Sequence, residues 1–171
     1  MRIAIYAGTF DPITNGHLSI LRRVAGLFDQ LIVLVAVNPD KTPLFSEAER
    51  VELIRDAVAG IDHVSIDSTK QWVADYAQAA GAGWLIRGVR DTTDMSSEHQ
   101  LASLNQQVAP EVTTLFVPAE SALSGVSSSK LKQLAASGQP IEPYCTLRVA
   151  GALRRRLRRS CQATPEASHA T

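Results

Sequence analysis

The sequence predicts an α/β fold: a Rossmann-like parallel five-stranded sheet with helices on both faces and further helices appended at the C-terminal end. Three observations carry that prediction. Five short apolar, β-rich runs recur along the 171 residues, amphipathic stretches separate them, and the segments richest in ligand chemistry follow the runs directly. Strands alternating with helices imply parallel pairing through right-handed crossovers, and ligands of such sheets bind beyond the carboxyl ends of the strands.

The runs fall at residues 2–7, 31–37, 63–66, 84–86 and 112–117. After the first, Leu18, Leu21, Val24, Ala25 and Phe28 recur at three- and four-residue spacing, the buried stripe of a helix that starts near Gly16. Thr14 or Asn15 can cap it. The second helix opens with "SEAE", where Ser46 and Glu49 match a capping box that satisfies the free N–H groups of the first turn. Further helices are predicted over residues 70–80, 94–108, 129–136 and 147–159. The length suits one domain, residues 1–159, with residues 160–171 read as a disordered tail.

Composition narrows the class. No apolar run is long enough to span a bilayer, no signal peptide is visible, and Cys145 and Cys161 lack a CxxC or metal-type spacing. A cytoplasmic protein that binds neither membrane nor nucleic acid is the expectation. Net charge is zero, but six arginines crowd residues 148–159, leaving 11 basic against 16 acidic residues before them. The run "LRRRLRR" reads as the solvated face of a last helix, because no aromatic is interleaved to stack on bases. Cys145, Cys161, His63, His99 and His169 form no recognisable ligand set, so no protein metal site is expected.

Four segments lie where a parallel sheet would gather them: "GTFDPITNGH" after the first strand, "NPDKTP" after the second, "RGVR" after the fourth and "SGVSSSK" after the fifth. The first contains no lysine or arginine yet suits an anion. Gly8 lets a ligand approach the backbone, Asp11-Pro12 favours a fixed turn, and a helix N-terminus then presents unpaired N–H groups with His17 as a donor beside them. Arg87, ending an apolar strand, needs an anionic partner or an escape to solvent. "VSSSK" opens another helix, whose Ser127, Ser128 and Ser129 can present hydroxyls and N–H groups to phosphates.

These residues carry a resemblance. "GTFDPITNGH" resembles the T-x-G-H variant of the nucleotidyltransferase signature, "LIRGVR" with "DMSSEHQLASLN" is similar to the arginine-bearing segment of the bacterial phosphopantetheine adenylyltransferases, and "VSSSKLK" to their I-S-S-[ST]-x-V-[RK] motif. The resemblance implies adenylyl transfer from ATP to 4′-phosphopantetheine, giving dephospho-coenzyme A and pyrophosphate without a covalent enzyme intermediate. By match to the motifs, it makes His17, Lys41 and Arg90 catalytic, His17 stabilising the pentacoordinate transition state at the α-phosphate. Gly8, Thr9, Phe10, His17, Gly88, Val89, Arg90 and Glu98 would bind ATP, together with Leu123, Ser124, Gly125, Val126, Ser127, Ser128 and Ser129. Thr9, Lys41, Val73 and Arg87 would bind phosphopantetheine. Mg2+ would ride on the ATP phosphates, and the family implies a homo-oligomer, a hexamer.

The chain departs from the family in three places. It has "DMSSE" where D-[FY]-E-x-E is usual, its loop "PAESALSGVSSS" is one residue longer, and Trp72 stands where leucine is common. Two further readings stand beside it: a sister nucleotidyltransferase acting on nicotinamide mononucleotide or using CTP, against which Thr14 in place of a first histidine and "RGVR" both argue, and a divergent copy that binds nucleotide or coenzyme A without turnover, which the altered "DMSSE" run supports.

Overall fold

Five parallel strands in the order β3-β2-β1-β4-β5 make one sheet. They are β1 (Ile3–Gly8), β2 (Gln30–Ala36), β3 (Val64–Thr69), β4 (Trp84–Val89) and β5 (Thr113–Pro118). The helices between and after them are α1 (Asn15–Val24), α2 (Glu47–Ala57), α3 (Val73–Ala79), α4 (Thr92–Val108), α5 (Ser128–Ala136) and α6 (Leu147–Gln162). The computed structural model describes residues 1–38 and 42–162, with side chains to residue 159.

Strand alternation divides the core between two faces. Ala4, Tyr6, Leu31, Val33 and Val35 turn to one side, where Leu18, Leu21, Ile54, Leu131 and Val149 of α1, α2, α5 and α6 cover them. Ile5, Ala7, Ile32 and Leu34 turn to the other, against Ala74 and Ala77 of α3. Runs buried on both faces show no polar alternation, which is why β1 and β2 were legible as continuous apolar segments. Chain order reverses between β1 and β4, and there the loops after those two strands diverge to leave a crevice.

Two strands run further than their apolar residues indicate. β4 continues through Arg87, Gly88 and Val89 because these pair with Phe116, Val117 and Pro118 of β5, so most of "RGVR" is strand end and not loop. β3 continues through Asp67, Ser68 and Thr69 against β2, where its position at the sheet edge tolerates polar residues. Helix α4 begins two residues early, at Thr92, because Asp91 caps it by accepting the Asp94 N–H at 2.8 Å. Asn105 is the buried residue of that helix, and its Met95, Leu104 and Val108 remain exposed. Helix α6 extends past the expected end at Arg159 to Gln162. Three of its arginines meet acids of the body, Arg148 with Asp56, Arg154 with Glu142 and Arg156 with Glu49. Among the described residues no helix is long and apolar enough to cross a membrane.

Candidate active site

The loop after β1 is shaped by its own aromatic. A Cβ on Gly8 would stand 3.0 Å from Phe10 Cζ, so a larger residue where the strand ends would press on that ring. Phe10 itself has φ 46°, a left-handed backbone that costs a bulky residue energy and persists only where surrounding contacts impose it. Two sets of contacts do so. Arg50, 2% exposed, donates through Nη1 to the Thr9 carbonyl at 2.8 Å. Asp11 accepts the Leu44 and Phe45 N–H groups, each at 2.9 Å, and Lys132 Nζ of α5 at 2.7 Å. Burial works to raise the Asp11 carboxyl, but the hydrogen bond from Lys132 and the two amides outweigh it and hold it below the usual carboxylate range.

Thr14 is the N-cap of α1, and His17 completes the capping box in place of the usual Glu or Gln. The Thr14 N–H donates to His17 Nδ1 at 3.0 Å. A nitrogen that accepts from a backbone N–H carries no proton, so the neutral ring is the Nε2–H tautomer. The ring packs edge-on against Phe10, centroids 5.1 Å apart. Burial, reinforced by the charge of Arg90, pushes its pKa down to about 4. His17 is therefore a fixed, uncharged donor at neutral pH.

His17 and Arg87 line one cleft of about 300 Å³ at the C-terminal ends of β1 and β4. Gly8, Thr9, Phe10, Gly88, Arg90, Glu98, Leu123, Val126, Ser127, Ser128 and Ser129 line it with them. The N-termini of α1 and α5 both open on it, bringing two positive dipole ends to one space. Val89, Ser124 and Gly125 are not among its lining residues. Val73 lines a smaller pocket of about 70 Å³ with Trp72, Leu101 and Asn105, and Ala7 and Arg87 form walls common to both spaces. Lys41 lies outside the described residues.

Several side chains hold partners that the sequence did not disclose. Arg87 pairs with Glu98 of α4 and donates to the Ala7 carbonyl at 3.2 Å, which joins in one ion pair two residues assigned to opposite substrates. Arg90 forks onto Asp94, Nε to Oδ2 at 3.1 Å and Nη2 to Oδ1 at 2.9 Å. These hydrogen bonds from Arg90 hold the Asp94 carboxyl low. Among the described residues, two cations and two carboxylates thus leave the cleft walls without net charge. The acids that "DMSSE" retains are the two that pair, while Met95 and Ser96 are exposed. Ser127 caps α5 by accepting the Lys130 N–H at 3.1 Å, and Ser128 Oγ donates to the Pro12 carbonyl at 2.8 Å, so that hydroxyl ties loop to helix. Gly88 faces protein: a Cβ there would stand 2.3 Å from Ile20 Cδ1.

Tyr6, Asp94 and Arg50 were absent from the expected site. Tyr6 reads as one more residue of an apolar strand. Asp94 was visible as the first residue of a family motif. Arg50 carried a signal, since with Leu53 and Ile54 it occupies positions i, i+3 and i+4 of a buried helix stripe.

The comparisons agree with this architecture. A model of the cytidylyltransferase-like family matches residues 5–134. The phosphopantetheine adenylyltransferase of Brucella ovis is 42% identical over 158 residues, 90% of this chain and 96% of its own. That of Limosilactobacillus reuteri is 40% identical over 157 residues, 92% of this chain and 91% of its own. The nicotinic acid mononucleotide adenylyltransferase of Plasmodium falciparum, solved with NaAD, superposes with TM-score 0.62 over 93% of this chain and 95% of its own at 14% identity, a likeness of fold alone.

Proposed function

The chain belongs to the cytidylyltransferase-like family and within it to the phosphopantetheine adenylyltransferases, and from that premise we propose that it transfers the adenylyl group of ATP to 4′-phosphopantetheine, releasing pyrophosphate and dephospho-coenzyme A. The single observation that carries the reading is the setting of His17: a neutral ring, locked as a donor at a helix N-terminus, in the cleft that Ser127, Ser129, Arg87 and Arg90 also line.

The substrate phosphate attacks the α-phosphorus of ATP, a P–O bond forms as the bond to the β-phosphate oxygen breaks, and the electron pair leaves with pyrophosphate. Such a reaction needs alignment and charge stabilisation more than covalent help. His17 donates through Nε2 to an α-phosphate oxygen. The N–H groups at the start of α5, with Ser127 and Ser129, receive the β- and γ-phosphates. Arg90 serves the nucleotide, while Thr9, Arg87 and Lys41 receive the attacking phosphate and Val73 borders the pantetheine arm. Anion binding must share or displace the carboxylates now on Arg87 and Arg90. Mg2+ enters as part of the substrate, on triphosphate oxygens and water.

We further take the protein to be cytoplasmic and homo-oligomeric, a hexamer as the family implies, with residues 1–159 acting as one transferase domain. Exposed Met95, Leu104 and Val108 on α4 support association, and light scattering of the purified protein checks it. Pyrophosphate release from ATP, measured with and without 4′-phosphopantetheine, tests the reaction. Release that requires this acceptor supports it. Release with nicotinamide mononucleotide instead, release from CTP, or nucleotide binding without release overturns it.

A further inference from the structure

Tyr6 is 5% exposed and packed as a core residue, its ring edge-on to Phe10 at 5.5 Å and tilted against His17 at 6.3 Å. It nevertheless lines the cleft. Its Oη lies 3.4 Å from the point where a Cβ on Gly88 would stand, on the face of β4 that meets Ile20. No hydrogen-bond partner among the described residues meets that hydroxyl, and it is not one of the fully buried polar atoms, so the buried ring presents an unpaired donor to the cleft. Packing alone would be served as well by phenylalanine.

We propose that the Tyr6 hydroxyl is a further binding donor to the bound nucleotide, giving its hydrogen bond to an oxygen of the ribose or of the α-phosphate. The inference rests on the adenylyl-transfer reading above. Position favours the nucleotide over 4′-phosphopantetheine: the ring touches His17 and the hydroxyl lies beside Gly88, whereas the smaller pocket reached through Arg87 does not include Tyr6. The hydroxyl also remains a donor throughout the working pH range. Burial raises its pKa far above the ordinary phenol value, and the opposed charges of Arg87, Glu98, Arg90 and Asp94 around it largely offset one another.

Tyr6→Phe removes the hydroxyl and keeps the ring. Titration calorimetry with ATP, adenosine and 4′-phosphopantetheine, alongside thermal melts of the free protein, tests the idea. A hydrogen bond to ligand predicts ATP affinity about 3- to 10-fold weaker in the variant, with phosphopantetheine affinity unchanged. The free variant melts no lower than wild type, because it has lost an unpartnered polar group and no protein contact. A loss seen with adenosine as well assigns the ribose, and a loss confined to ATP assigns the phosphate. Equal ATP affinity in the two proteins, a weakening confined to phosphopantetheine, or a lowered melting point with unchanged affinity overturns the inference. Wild type that binds no ATP at all overturns the adenylyl-transfer reading, and this inference with it.

Discussion

The proposed mechanism gives His17 two separable jobs, and two substitutions divide them. Its Nδ1 accepts the Thr14 N–H at 3.0 Å, closing the helix cap, while its other nitrogen is the donor that the proposed mechanism gives to substrate. His17→Ala removes both. Leaving one buried amide unpaired costs roughly 1–2 kcal/mol of stability, and losing one oriented transition-state donor costs about 3 kcal/mol, or about 150-fold in kcat. His17→Gln restores the cap, because glutamine is a normal partner at that helix position, but returns only a flexible amide to the cleft. Urea denaturation should therefore place Gln close to wild type and Ala below it, whereas pyrophosphate release should leave both variants at least about tenfold slow. The pKa near 4 adds a pH signature. Activity should show no ionisation of His17 between about pH 6 and 8. Stability behaves otherwise: below the unfolded value of 6.5 the unfolded chain takes up a proton that the folded one refuses, so the folded state loses ground as pH falls from 6.5 to about 4. At 1.36 kcal/mol per pH unit that gap comes to about 3 kcal/mol at most. Turnover of His17→Ala within about threefold of wild type would refute the transition-state role, and an imidazole 15N spectrum showing the proton on Nδ1 would refute the tautomer.

Two other predictions test the frame around the cleft. Gly88→Ala drives a methyl against Ile20 Cδ1 and should cost about 1–3 kcal/mol in denaturant melts; combining it with Ile20→Val, which deletes that carbon, should recover most of the loss, and additive effects would count against the contact. Asp11→Asn weakens the tie to Lys132, Leu44 and Phe45 and should cost roughly 2–3 kcal/mol at pH 7. Because the folded Asp11 carboxyl lies below its unfolded value of 3.8, its contribution is fully present above that value and disappears as pH falls through the folded one, so wild type and variant should converge in acid. A difference that persists there would mean the carboxylate charge is not the cause.

Local pattern was enough for the framework. Apolar runs placed the five strands, their alternation with helices implied parallel pairing, and three- and four-residue spacing placed α1 on its buried face. The Ser46–Glu49 capping box is present as read, because a cap depends on residues three apart in the chain. Dihedral preference and side-chain period act over a turn or two, so they survive in sequence. The choice between Thr14 and Asn15 as cap needed the histidine's side-chain direction, and the end of β4 needed its neighbour β5.

The site was legible as a set of segments but not as a set of partners. Nothing local distinguishes Glu98 as the mate of Arg87, Ser128 as a tie to Pro12, or Lys132 as the mate of an aspartate 121 residues away. Nor could the sequence show that Gly88 makes room for Ile20, that Arg50 holds the Thr9 carbonyl, or that the Tyr6 hydroxyl has no hydrogen-bond partner among the described residues. Hydrogen bonds and ion pairs form across a few ångströms whatever the chain separation, and burial then sets their strength and the charge state of His17. Residue type and period specify the elements, whereas the distances between elements, which the packed core imposes, specify who bonds to whom.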